Sequence, residues 1–316
     1  MKKIPIIVIA GPTASGKTAL GVEICKRIGG EVVSADSMQI YKGMDIATAK
    51  PSPEEMQGIP HHLISIISPE ETFSVADFKT LAEKAIDDIT SRNKIPVIVG
   101  GTGLYIDTLV NNINLVESST DPAVREKLEK RAESEGAQAL LDQLKIIDPE
   151  YAEGLHTNNL KRIIRALELW ETTHVTMTEQ LIKSREAPSP YDTVYICLEC
   201  ENRDYLYKRI NDRVDLMIKA GLVEEAKKYY SMCSSTAVQA IGYKELMPYL
   251  NGEKTLDEAV ESLKQSTRRY AKRQLTWFRR HDEAERLYID KYGSYQSFVD
   301  DAVNIIENKM KGNGDE

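Results

Sequence analysis

The chain has 316 residues, with 41 Lys and Arg against 49 Asp and Glu, a formal charge of −8. With 41% hydrophobic and 28% charged residues, it is neither disordered nor low-complexity, and it is long enough for one large domain or two modest ones. The acidic total excludes coating of nucleic acid by net charge alone, but leaves room for a local basic groove, because screening confines charge effects to about 8–10 Å.

The opening Met1-Lys2-Lys3 followed by an apolar run resembles the start of a signal peptide. However, the run passes straight into a glycine turn carrying a lysine, where a cleavage site would be needed, so it reads as a buried first strand. Runs at 4–10, 31–35, 95–99 and 195–198 lack alternation, as expected of strands covered on both faces, and 287–289 is a weaker fifth. His61 and His62, followed by 63–67, suggest a further strand entry. Amphipathic stretches such as 17–28 and 74–92 separate the strands. Strand and helix in alternation imply parallel βαβ units and an α/β sheet flanked by helices.

Between 117 and 190 no strand-like run occurs. Asp121-Pro122 is a helix start, and 158–172 places Ile163, Ile164, Leu167 and Trp170 on one stripe, with Lys161, Arg162 and Arg165 away from its centre. Thr176 and Glu179 have capping-box spacing, and Ala187-Pro188-Ser189-Pro190 ends the helical run. The reading is an all-helical insertion, 117–190, in an α/β core formed by 1–116 and 191–316.

The most specific motif is Gly11-Pro12-Thr13-Ala14-Ser15-Gly16-Lys17-Thr18, which fits G-x-x-x-x-G-K-[ST]. It stands between a strand and a helix, so its backbone N–H groups and the helix N-terminus converge on phosphate. Lys17 neutralises phosphate charge, and the Thr18 hydroxyl reaches a phosphate-bound Mg²⁺. The strand at 95–99 runs into Gly100-Gly101-Thr102-Gly103 and lacks a metal-holding Asp; the carboxylate, Asp36, follows the second strand. That suits a diphosphate that departs whole while one carboxylate takes a proton. Phosphoryl transfer from ATP by a small-molecule kinase stays open on these residues, as does a nucleotide-binding RNA chaperone.

Four segments together resemble the bacterial tRNA dimethylallyltransferase (tRNA isopentenyltransferase) family. They are the phosphate loop, Ser34-Ala35-Asp36-Ser37-Met38-Gln39-Ile40-Tyr41-Lys42-Gly43-Met44-Asp45-Ile46-Ala47-Thr48-Ala49-Lys50-Pro51, Gly100-Gly101-Thr102-Gly103-Leu104-Tyr105, and Lys272-Arg273-Gln274-Leu275-Thr276-Trp277-Phe278-Arg279. The resemblance implies a phosphate-loop NTPase-like fold and Mg²⁺-dependent transfer of a dimethylallyl group from its diphosphate. The acceptor it implies is N6 of the adenine just 3′ of the anticodon, in tRNAs reading codons that begin with U; a related transferase acting on free adenine nucleotides is the alternative. Asp36 is then the base, and Thr102 donates to the leaving oxygen. Arg209 and Arg213 fall at i, i+4 on a helix expected over 204–220, and Arg213 is favoured for the diphosphate by similarity.

The run 264–280 holds Lys264, Arg268, Arg269, Lys272, Arg273, Arg279 and Arg280 with no acidic residue. Arg269, Lys272, Arg273 and Arg280 fall along one side of a helix, a stripe suited to RNA phosphates. By resemblance, the tRNA contacts are Asp36, Ser37, Met38, Gln39 and Thr102 near the base, and Arg125, Lys161, Arg162 and Arg165 in the insertion. Gln239, Gly242, Tyr243, Lys244, Lys272, Arg273, Gln274, Trp277 and Arg279 complete the set. Tyr243 in particular offers a surface for an unstacked base. Cys197 and Cys200 have metal-ligand spacing but no second pair, so no zinc site is expected. His156, His174 and His281 read as surface or capping groups. Four cysteines in all suit a reducing cytoplasm, no run is long enough to span a bilayer, and a monomer is expected.

Overall fold

The computed structural model describes residues 3–114 and 121–312. Met1, Lys2, the expected boundary at Glu117 and the last four residues lie outside them. Six strands form one sheet: β1 (Ile4–Ala10), β2 (Gly30–Ser34), β3 (His61–His62), β4 (Ile95–Gly100), β5 (Tyr191–Glu199) and β6 (Glu285–Tyr288). Their order is β3-β2-β4-β1-β5-β6, and every neighbouring pair is parallel. The helices up to the insertion are α1 (Lys17–Ile28), α2 (Pro53–Met56), α3 (Val75–Ser91) and α4 (Gly103–Val110). Within it lie α5 (Pro122–Glu135), α6 (Ala137–Ile147), α7 (Pro149–Glu153), α8 (Leu160–Thr173) and α9 (Met177–Ser184). After β5 come α10 (Arg203–Lys219), α11 (Leu222–Tyr229), α12 (Tyr243–Leu250), α13 (Leu256–Phe278) and α14 (Tyr295–Gly312).

Alternate residues of β1 serve two cores. Ile6, Val8 and Ala10 pack with Phe78, Ala82 and Ile86 of α3 on one face; Ile7 and Ile9 pack with Leu20 and Ile24 of α1 and Val299 and Ala302 of α14 on the other. A strand buried on both faces has no polar side, which is why the run reads as continuous. The expected second strand lies one residue earlier than 31–35, β5 starts at Tyr191, and β6 precedes 287–289 by a residue or two. The segment 63–67 is not a strand. Leu63 and Ser65 take left-handed backbone, φ 63 and 53, so the chain turns after His62, and Ile67 returns only as a single bridge to Tyr41.

The chain divides into two compact units: one runs to Val110 and resumes at Pro190, and the other is Asn111–Ser189. The second unit is helical, with its own core of Leu128, Leu140, Leu144, Ile163, Ile164 and Leu167. Asp121 caps α5 by accepting from Ala123 N and Val124 N, and Thr176 and Glu179 form a capping box on α9. One departure from the expected stripe is Glu168, fully buried on α8 and paired with Arg125 at 3.2 Å and Arg165 at 3.0 Å. No helix among the described residues is long and apolar enough to cross a membrane.

The end of α13 is fixed in the core unit from three directions. Trp277 donates from Nε1 to Asp107 on α4 at 2.9 Å, and its ring lies where a side chain on Gly103 would be, 2.2 Å from an added Cβ. His281 is not the free surface group expected from sequence. It stacks on Tyr195 and lies 3.0 Å from Asp107 and 2.9 Å from Glu283, and those carboxylates, Asp107 foremost, hold its imidazolium above the ordinary range. Arg286 on β6, paired with buried Glu199, donates to the carbonyls of Phe278, Arg279 and His281. It thereby satisfies the helix's last acceptors. Because α13 stops at Phe278, Arg279 and Arg280 lie beyond the helical stripe. Gly103→Ala should drive a methyl into the Trp277 ring and cost about 1–3 kcal/mol; urea denaturation of the variant against the parent chain measures it.

Candidate active site

The site forms where β1, β2 and β4 end, the usual binding edge of a parallel sheet. Beyond Ala10 the chain curls back through the phosphate loop. Gly16 caps α1 at φ 92, a backbone state a side chain would strain, and Ala14 is also left-handed at φ 62. Lys17 opens α1, and its Nζ donates to the Pro12 carbonyl at 2.7 Å. Burial pushes this ammonium from 10.5 down to about 8, Arg213 adding to the fall and Asp36 opposing it. The Ser15 hydroxyl is buried without a hydrogen-bond partner.

Two arginines of α10 reach the same loop. Arg209 donates from Nε to the Ala14 carbonyl at 2.8 Å, and Arg213 from Nη1 to the Thr13 hydroxyl at 3.2 Å. The i, i+4 spacing read from sequence is therefore one helical face turned to the loop. From α13, buried Gln274 accepts from Thr13 N at 2.8 Å and donates to the Gly101 carbonyl at 2.9 Å. Gln274 thus joins the phosphate loop to the turn after β4, and it also lines the cavity of the site.

Beyond β2, Ala35 N donates to Val99 O and Thr102 N to Ala35 O, at 2.8 and 3.1 Å. These bonds hold the two strand ends together. Asp36 is partly exposed, and its Oδ1 accepts from Met38 N at 2.9 Å. Thr102 accepts from Ser37 N at 3.0 Å and donates to the Ser37 hydroxyl at 3.3 Å. Its hydroxyl is thus engaged by the segment that carries Asp36.

A cavity of about 400 Å³ opens over these residues, and Thr13, Ala14, Lys17, Thr18, Asp36 and Arg213 line it. Ser37, Met38 and Gln39 also line it, as do Gln239, Arg273 and Gln274. An apolar stretch of wall comes from Val214 and Met217 on α10 with Ala47, Ala240, Ile241 and Leu263. Tyr270, missed in the sequence, lines it too. Burial first, then Asp36, push its phenol up, so it stays a neutral donor near Thr102. Its position three residues before Arg273 on the expected helix was the available signal, and the Arg273 guanidinium lies 5.6 Å from its ring centre.

The other expected tRNA contacts are spread more widely. Lys161, Arg162, Lys244, Lys272 and Arg279 are exposed. Arg125 and Arg165 hold Glu168 and remain partly open. Gly242 takes φ 126 and donates its N–H to Glu245. Tyr243 is a correction: it is fully buried, and its hydroxyl donates to Glu225 at 3.0 Å, so it presents no face to a base. Trp277, partly exposed, packs against Gly103 and donates to Asp107. In the basic run, Lys264 pairs with Asp215 and Arg268 with Glu261, leaving Arg269, Lys272 and Arg273 as the exposed stripe.

The family model described as IPP transferase matches residues 39–281. A tRNA dimethylallyltransferase of Halalkalibacterium halodurans is 53% identical over 88% of this chain and 88% of its own length. One of Caldanaerobacter subterraneus is 48% identical over 98% and 99%. Among solved structures, the full-length tRNA isopentenylpyrophosphate transferase of Bacillus halodurans superposes with a TM-score of 0.75 at 45% identity, covering 99% of both chains. A eukaryotic dimethylallyltransferase acting on tRNA gives 0.82 at 30% identity, over 98% of this chain and 80% of that one. A phosphate loop and one carboxylate lining the same cavity, together with matches along nearly the whole length, make this chain a member of the IPP transferase family.

Proposed function

We propose that the chain transfers the dimethylallyl group of dimethylallyl diphosphate to N6 of the adenine just 3′ of the anticodon in tRNA. The observation that carries this reading is that Lys17 and Arg213 line the same cavity as Asp36. Cations suited to a departing diphosphate and a carboxylate suited to a departing proton thus share one chamber. An aromatic amine is a weak nucleophile, so the allylic C–O bond loosens before attack, and stabilising the leaving group lowers the barrier most. The C–O electron pair stays with the diphosphate, held by the loop amides, Lys17 and Arg213. The new C–N bond forms at the allylic carbon, and the N6 proton passes to Asp36. Tyr270, a neutral donor in the wall, hydrogen-bonds the substrates without adding charge.

Mg²⁺ fits the donor set. Among the described residues no three His, Cys, Asp or Glu gather to hold a metal, while Thr18 lines the cavity and the Ser15 hydroxyl is unpartnered. Hydroxyls without a carboxylate cage suit a cation shared with substrate phosphates. When bound, it adds positive charge to the leaving group.

The target base leaves its stack to reach Asp36. Arg269, Lys272 and Arg273 on α13, and Lys161 and Arg162 in the insertion, are the exposed cations that meet RNA phosphates. Labelled dimethylallyl diphosphate with Mg²⁺ and either unmodified tRNA or AMP tests the reading. Label should enter tRNA alone, and label on AMP instead would remove tRNA as the acceptor.

Three further outcomes follow from the same geometry. Asp36→Ala should lower turnover by about 10²–10⁴ while diphosphate affinity is retained, as single-turnover kinetics and titration will show. Lys17 is charged below its pKa of about 8, so inorganic diphosphate should bind roughly tenfold more weakly at pH 9 than at pH 7. Calorimetry of Lys17→Met should show weak binding and a flat pH profile. Arg273→Ala should reduce tRNA affinity and the slope of log K against log salt by about 1, measured by filter binding across salt concentrations.

A further inference from the structure

The segment 45–51, quoted above for its resemblance, does not enter the chemistry described so far, yet Ala47, Thr48, Ala49 and Pro51 form part of the cavity wall. Gln39 donates from Nε2 to the Thr48 and Ala49 carbonyls at 3.4 and 3.3 Å, and the N–H groups of 45–47 are gathered by one side chain. Glu225 on α11 accepts from Asp45 N at 2.9 Å, Ile46 N at 2.8 Å and Ala47 N at 2.9 Å, and also from the Tyr243 hydroxyl at 3.0 Å. Three successive N–H groups around one carboxylate make a nest with fixed geometry. Within the segment, the side chain of Lys50 donates to the Tyr41 carbonyl and the Ser65 hydroxyl, both at 2.7 Å, and pairs with Asp45. The wall is therefore held by Lys50 through Tyr41 and Ser65 and from α11 by Glu225.

The part of the wall set by Glu225 is apolar. Ala47, whose N–H it binds, shares a core cluster with Val214, Met217, Ile241 and Leu263, all of which line the cavity. Val214 directly follows Arg213 on α10, so this apolar stretch adjoins the diphosphate end. A hydrocarbon chain attached to a diphosphate at Lys17 and Arg213 meets uncharged wall here, and its length is limited by how far the 45–47 turn stands from α10.

We propose that Glu225 is a positioning residue that fixes this limit, so that the site takes a five-carbon allylic diphosphate and rejects a ten-carbon one. This rests on the transferase reading above. It assigns no contact between Glu225 and substrate; Glu225 acts through the backbone of Asp45, Ile46 and Ala47, and Tyr243 acts by orienting Glu225.

The test compares kcat/KM for dimethylallyl and geranyl diphosphates on one unmodified tRNA, using the full chain. Glu225→Ala should raise the geranyl-to-dimethylallyl ratio by roughly tenfold, the range that a few methylenes command in an apolar pocket. Glu225→Gln keeps one acceptor oxygen and should raise it less, and Tyr243→Phe less again. If Glu225→Ala does not fold, the Gln and Phe variants decide. A raised ratio in variants whose circular dichroism and melting match the parent supports the proposal. An unchanged ratio, or equal loss with both substrates, overturns it and leaves Glu225 as a brace of the fold. A parent chain that prenylates tRNA with neither diphosphate overturns the transferase reading itself, and the proposal with it.

Discussion

A single amide ties the site together. Gln274 receives the Thr13 N–H and gives its own N–H to Gly101, so the turns after β1 and β4 and the long helix α13 share one fixed point. The residues around it depend on that registration. Tyr270 and Arg273, one turn or less before Gln274, face the cavity because the helix is pinned there. The phosphate loop keeps its curl against the same group. A buried amide with both ends satisfied contributes rigidity, whereas one left half-satisfied would cost about 1–3 kcal/mol.

Electrostatics within the cavity are coupled in the same compact way. Burial and Arg213 lower the Lys17 pKa while Asp36 raises it, so the carboxylate tunes the cation of the loop. Arg213 is itself shifted down, by burial first, with Asp36 opposing the fall. An acidic protein can therefore offer a cationic chamber, since what matters is the neighbourhood and not the total.

Much of this was legible in the residues. The continuous apolar runs were strands because Ile6 through Ala10 feed two cores, and the glycine and lysine pattern after β1 marked the loop. The shared face of Arg209 and Arg213 was legible from helical spacing. What escaped were contacts that depend on tertiary burial. Tyr243 and Gln274 look like surface polar groups in a basic or glycine-rich motif, and only the fold shows that one is buried against Glu225 and the other locked under Thr13. The turn at Leu63 and Ser65 escaped because left-handed backbone at non-glycine residues leaves no mark in an apolar run. His281 was misread for a similar reason: its partners, Asp107 and Tyr195, are distant along the chain.

The role of Arg286 also separates two boundaries that sequence comparison merges. The matched segment ends at residue 281, yet the guanidinium five positions later closes the last turn of α13 and neutralises Glu199. The helix that carries the exposed basic stripe thus reaches structural completion only through an edge strand beyond residue 281. Shortening the protein at the homology limit would fray the basic helix from its C-terminal end and leave a carboxylate stranded in the sheet.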